Sequence, residues 1–163
     1  MVIRPARAGD EERLVQLIVA FRASLAELRD RPAGADLPAA RQELADYRKK
    51  GFPVYVADAN GGQLVGYLVC RVDDDVVWAE SLYVVPERRR QGVASSLYEQ
   101  AERVAAELGG DTVYNWVDPD NAAIIEFLRA RGYTVLNLIE LRSARPDEQP
   151  QKRVRVGSYQ FHR

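Results

Sequence analysis

The stretch that most restricts what this chain can fold into runs from Glu80 to Leu97. An apolar run, Leu82-Tyr83-Val84-Val85, halts at Pro86, which cannot donate to a strand ladder. Arg88, Arg89 and Arg90 follow in a turn. Gly92 and Ala94 then open a helix read over 91–108, with Val93, Leu97, Ala101, Val104 and Leu108 on one face. Gly109-Gly110 ends it, and a further strand reads from Thr112 to Val117. Strand, helix and strand in this order make a crossover between parallel neighbours, and such crossovers are right-handed. The turn aims unpaired N–H groups and the positive end of a helix dipole at one spot, a natural seat for phosphate. Arginine side chains beside it add charge-assisted hydrogen bonds.

The rest of the chain alternates short strands and helices. Residues 2–6 read as a strand. Asp10 reads as the N-cap of a helix over about 10–29, with Leu14, Leu17, Ile18, Phe21, Leu25 and Leu28 on one face. Residues 30–36 form a loop, and a second helix over 37–50 carries Pro38 in its first turn. Strands at 52–59 and 63–72 flank Asn60-Gly61-Gly62, a hairpin signal. Asp73-Asp74-Asp75 turns the chain into a strand over 76–85. Asp118 reads as an N-cap followed by Pro119, with a helix to Arg131 closed by Gly132. Tyr133–Leu141 reads as a strand, 143–152 as a polar loop and 154–161 as a final strand. No internal repeat appears, and one domain over 1–163 is expected.

Composition narrows the functional classes. The formal net charge of -1 argues against a general binder of nucleic acid or membrane surface. A single cysteine, Cys70, allows no internal disulfide and fits a reducing, cytoplasmic setting. It lies in an apolar strand and reads as a small buried hydrophobe. One histidine and one cysteine make no usual zinc site, so no metal is expected. The N-terminus becomes charged at Arg4, without the apolar stretch of a signal peptide or membrane span.

The spacing Arg89-x-x-Gly92-x-Ala94 matches the (Gln/Arg)-x-x-Gly-x-(Gly/Ala) signature of the GCN5-related N-acetyltransferase (GNAT) family. The flanks agree. Glu80–Pro86 resembles that family's fourth strand, Asn121 and Arg131-Gly132-Tyr133 its last helix and following turn, and Ile3-Arg4-Pro5-Ala6 with Asp10 its beginning. The resemblance implies an α+β fold: a mixed, mostly antiparallel sheet of about seven strands flanked by about four helices, with strands four and five parallel and splayed. It implies acetyl-CoA as co-substrate. The pyrophosphate would lie against Arg89, Arg90, Gln91, Gly92, Val93, Ala94 and Ser95. The pantetheine arm would pair with the strand edge at Leu82, Tyr83 and Val84, as an added strand does. Asn121 is a further candidate for the pantetheine arm.

The reaction implied is transfer of an acetyl group to a primary amine by direct attack in a ternary complex. An amine with a pKa of about 10.4 costs roughly 4–5 kcal/mol to deprotonate at pH 7, so a general base is useful. Glu80 is the candidate, on the same face as Leu82 and Val84 by strand alternation. The family's usual general acid is a tyrosine seven positions after the asparagine, where this chain has Leu128. Tyr83, Tyr114 and Tyr133 are candidates to replace it. The departure motivates an alternative, a catalytically inactive acyl-CoA-binding sensor of the same fold. A nucleotide binder without coenzyme A is opposed by the charge balance and by the absence of a Walker-type glycine–lysine pattern. Asp73, Asp74, Asp75 and Glu80 favour a small cationic amine, or a lysine or N-terminal amine of a peptide. The resemblance also implies a homodimer, with the strand over about 153–162 pairing within the chain or across it.

Overall fold

The computed structural model describes residues 1–32, 34–146 and 152–162. These fall into two compact units, Met1–Phe127 and Leu128–Arg163. In the first, five strands lie in sequence order: β1 (Val2–Pro5), β2 (Val54–Asp58), β3 (Leu64–Asp73), β4 (Val76–Val84) and β5 (Val113–Tyr114). The first four pair antiparallel, and β5 runs parallel to β4. Helices α1 (Glu11–Glu27), α2 (Leu37–Lys49) and α3 (Val93–Glu107) accompany them, and α4 (Ala122–Ala130) runs across the division between the units. This is the mixed layout expected, with strands four and five parallel.

Adjacent residues of β3 show how the layers form. Tyr67, fully buried, joins Leu14, Val15 and Ile18 of α1 and Leu44 and Tyr47 of α2 in one core. Gly66 faces the other way, towards α3, because successive strand residues alternate sides. A Cβ there would stand 3.2 Å from Leu97 Cδ1 and only 2.7 Å from the Tyr83 carbonyl oxygen, so this close approach requires glycine. The α3 stripe is buried at Val93, Leu97, Tyr98, Ala101, Val104 and Ala105. Val93, Leu97 and Val104 each contribute about 1.5–3 kcal/mol of hydrophobic stabilisation. Leu108, expected on the stripe, caps the helix and is exposed.

Several boundaries differ from the sequence reading. Asp10 does not cap α1 with its side chain. A short 3-10 turn precedes the helix, and the carboxylate accepts from the Arg7 N–H (2.7 Å) and from both terminal nitrogens of Arg4 (2.7 and 2.9 Å). Arg4 also bonds Asp58 at 2.9 Å, clipping β1, β2 and the start of α1 together. The strand expected over 112–117 pairs only at Val113 and Tyr114. The next residue, Asn115, uses its amide on the Tyr98 hydroxyl (2.8 Å) and the Val113 carbonyl (3.1 Å) instead of a ladder.

The last helix begins at Ala122, not after Asp118. Asn121 is its cap, its Oδ1 accepting the Ile124 N–H at 3.3 Å, while Asp118 accepts from Asp120 and pairs with Arg29. Residues 133–141 form no strand, and Val135, Leu136, Leu138, Ile139 and Leu141 are exposed. The final segment is a hairpin, β6 (Arg153–Val156) with β7 (Tyr159–His162), turning at Gly157-Ser158. The seven strands are therefore divided five and two. Part of the polar loop read over 143–152 lies outside the described residues.

Candidate active site

β4 pairs with β5 at Val77–Val113 and Trp78–Tyr114 and no further, so from Ala79 onwards its β5-side edge is open. The ladder to β3 explains why the edge turns away. Val69 opposes Ser81 and Cys70 opposes Ala79, leaving Glu80 as an extra residue without a partner. This is a β-bulge, which bends and twists the strand that carries it. The Val85 N–H donates to the Val65 carbonyl, so by alternation Tyr83 directs its backbone groups at β3 while Leu82 and Val84 direct theirs at the open edge. On that edge the Val84 carbonyl accepts from Arg89 Nε at 2.9 Å.

The bulge corrects the expected facing of Glu80. Alternation fails there, and the carboxylate stands 3.7 Å from Nε of Arg71. Arg71 occupies a β3 position of the same parity as Tyr67 and Val69, opposite to that of Gly66 and Leu68. Its guanidinium lies 4.8 Å from the Trp78 ring and 4.5 Å from the Trp116 ring. Tyr114 completes the aromatic group, 5.1 Å from Trp78. Arg71 was not singled out from the sequence. The signal was present, as it is the single charged residue in the run Leu64–Val72.

The turn after β4 is built from a 3-10 turn at Pro86–Arg88 and two left-handed residues, Arg90 (φ 60) and Gly92 (φ 79). The first helical N–H to find a carbonyl belongs to Ser96, bonded to Gly92 at 3.0 Å. Among the described residues, the N–H groups of Arg90 to Ser95 meet no protein acceptor, and Gly92 supplies no side-chain cap. Left-handed residues in such a turn form a concavity of N–H groups suited to an anion. A Cβ on Gly92 would meet nothing within 4 Å, so the space in front of the turn is open. The residues present therefore fit a pyrophosphate.

The neighbouring side chains are already engaged in part. Arg89 Nε donates to the Val84 carbonyl at 2.9 Å, and its guanidinium lies 5.6 Å from the Tyr83 ring. Gln91 donates to the Glu87 carbonyl at 3.0 Å. Tyr83 is buried, its ring 6.2 Å from that of Phe21. Its neighbour Ser81, also buried, lies 3.3 Å from the Tyr47 hydroxyl, which bonds Glu43. Burial and that carboxylate push the Tyr47 hydroxyl above its ordinary value. Burial pushes the Cys70 thiol up to about 12, in keeping with a small buried hydrophobe. Asn121 has its Oδ1 in the helix cap. Leu128 is buried.

Among the described residues, no helix is long and apolar enough to cross a membrane and no cluster of three metal-ligating side chains occurs. The sequence profile of the acetyltransferase (GNAT) family matches residues 22–133. The fold is shared with solved structures of low identity. One is the aminoglycoside antibiotic 6'-N-acetyltransferase AAC(6')-IG from Acinetobacter haemolyticus (20% identity, 90% of this chain and 100% of that one, TM-score 0.69). A second is AAC(6')-Iy in complex with a bisubstrate analogue, CoA-S-monomethyl-acetylneamine (19%, 88% and 97%, TM-score 0.69). A third is a transcriptional regulator from Bacillus halodurans C-125 (21%, 87% and 99%, TM-score 0.66).

Proposed function

Because the chain belongs to the acetyltransferase (GNAT) family of acetyl-CoA-dependent enzymes, we propose that it acetylates a primary amine by direct attack in a ternary complex. The observation that carries this reading is the open β4 edge leading to six N–H groups without protein acceptors at the start of α3. Acetyl-CoA, when bound, supplies an activated acetyl thioester. Arg90 to Ser95 would hold its pyrophosphate through backbone N–H groups, with Arg89 and Gln91 lining the same turn. Leu82 and Val84 would pair with the pantetheine amides, and Asn121 stands as a further polar partner.

Glu80 acts as general base. It takes a proton from the acceptor ammonium, the freed amine nitrogen bonds to the acetyl carbon, and the C–S bond breaks with its electron pair on sulfur. A proton then returns to sulfur from water or a hydroxyl, with Tyr83 the candidate on the strand itself. The acceptor is a small cationic amine or the lysine or N-terminal amine of a peptide, in keeping with Asp73, Asp74, Asp75 and Glu80 at the β3–β4 end. Glu80→Gln tests the assignment. Removal of a general base lowers kcat about 10²–10⁴-fold, with acetyl-CoA affinity unchanged. A kcat within a few-fold of wild type removes Glu80 from this role.

Leu128 at the position of the family's tyrosine favours a second reading, an acyl-CoA-binding sensor without turnover. Consumption of acetyl-CoA with any amine excludes it. We further place the protein in a reducing cytoplasm, on its lone buried cysteine, and expect a homodimer, on the exposed apolar side chains between Val135 and Leu141. Oxidation-insensitive activity and a solution mass of two chains are the expected outcomes. A mass of one chain overturns the dimer.

A further inference from the structure

Arg71 is held unusually for a guanidinium so near an open strand edge. Trp78 and Trp116 stand within cation–π distance of it, and their rings are 5.0 Å apart. Its side chain is 19% exposed, and Nε is shut off from solvent without a hydrogen bond. Two carboxylates lie close, Asp73 at 3.3 Å and Glu80 at 3.7 Å, yet neither is aligned to accept from Nε. A buried donor left unmade is costly and calls for an explanation. The two rings hold the guanidinium in place, and its two terminal nitrogens are the groups suited to a planar anion in two-pronged fashion.

The charges around it restrict the ligand. Arg71 contributes one positive charge, and Asp73 and Glu80 contribute two negative ones. A polycation would meet Arg71, and a simple anion would meet both carboxylates. A molecule carrying an amine and a carboxylate on one carbon uses both signs. We propose that the acceptor is of this amino-acid type, with its ammonium directed to Glu80 and its carboxylate received by Arg71. The inference rests on the acetyl-transfer reading above and narrows its acceptor. Arg71 becomes the residue that sets specificity, and Trp78 and Trp116 the groups that hold it in place.

The chain's two tryptophans are the two that flank Arg71, so its tryptophan emission reports this site without any turnover. The experiment titrates the whole protein with matched pairs: glycine and methylamine, L-phenylalanine and phenethylamine, L-lysine and cadaverine. In at least one pair the amino acid should give a saturable change at about ten- to a hundredfold lower concentration than its decarboxylated partner, the range of one charge-assisted hydrogen-bonded pair. Arg71→Met, which keeps an apolar stem beside the indoles, should abolish that ratio and leave the acetyl-CoA melting shift intact. Thiol release from acetyl-CoA with the same pairs should show the preference in KM. Equal or tighter binding of every decarboxylated amine, or no saturable change with any amino acid, overturns the inference. Turnover of cadaverine or an aminoglycoside in preference to the amino acids sinks this acceptor class while leaving acetyl transfer standing. A protein with no acetyl-CoA shift and no turnover with any amine loses the acetyl-transfer reading itself.

Discussion

Replacing Gly92 with alanine separates the conformational role of this residue from its role in ligand approach. At φ 79, an added Cβ costs about 1–2 kcal/mol from backbone strain alone. It adds no steric penalty within the protein, since nothing lies within 4 Å of it. Gly109, at the other end of α3, is a matched control, with φ 82 and equally open surroundings. Both variants should therefore melt about 2–8 °C below wild type, given 2–4 °C per kcal/mol for a chain of this size. They should part on adding acetyl-CoA. At a hundredfold excess over Kd the wild type gains about 2.7 kcal/mol, or about 5–10 °C.

The methyl of Gly92→Ala enters open space at the turn that carries the orphaned N–H groups. Displacing one charge-assisted hydrogen bond of about 1.5–3 kcal/mol weakens binding roughly ten- to a hundredfold. At the hundredfold limit the same ligand concentration leaves only about 0.4 kcal/mol of stabilisation. Gly109→Ala should keep the full shift. Scanning fluorimetry at fixed ligand concentration reads all three proteins. Retention of the full shift by Gly92→Ala, or its equal loss in Gly109→Ala, refutes the placement of the phosphates at this turn.

Two predictions concern the scaffold. Gly66→Ala pushes a methyl to 2.7 Å from the Tyr83 carbonyl oxygen, a backbone atom that cannot swing away; the overpacking should lower stability by about 1–3 kcal/mol, and an unchanged urea midpoint would show that β3 and β4 part more readily than the packing implies. Arg4 holds the carboxyl of Asp10 below the usual range by direct hydrogen bonding, and Asp58 is held below it by the Gly62 N–H and by Arg4. Stability from lowered carboxyl values is present above the unfolded value of about 4 and is lost as pH falls through the folded value. Arg4→Met should therefore melt several degrees below wild type at pH 7, and the gap should close on acidification; a gap independent of pH would make the role of Arg4 one of packing alone.

The parts of the site legible in the sequence are those built by neighbours in the chain. Pro86 ends β4, the arginine turn follows, and Gly92 starts α3, each through local backbone chemistry. The hairpin at Asn60-Gly61-Gly62 is equally local, with the Gly62 N–H donating to Asp58 at 2.8 Å. Readings failed where an element needed a distant partner. The alternation over 133–141 resembles a strand, but a strand exists only where another backbone receives its hydrogen bonds. The last segment has apolar positions suited to one strand, yet Gly157-Ser158 turns it into two that satisfy each other. Asp118 and Asn121 are both good caps, and Asn121 caps the first turn while Asp118 is taken by the Asp120 N–H and by Arg29.

By itself the sequence determined the strand that stops at Pro86, the arginine turn and the helix that follows Gly92, because those depend on dihedral preferences and hydrogen bonds within a few residues. Tertiary structure decided the rest of the site. The bulge at Glu80 exists only in the register of β4 against β3, and it moves that carboxylate next to Arg71. The open edge at Leu82 and Val84 exists only because β5 leaves β4 after two pairs. The meeting of Arg71 with Trp78 and Trp116 joins residues from three stretches of chain. No periodicity in the chain encodes such meetings, since they follow from how strands distant in sequence are aligned by the cores that α1, α2 and α3 form on either face of the sheet.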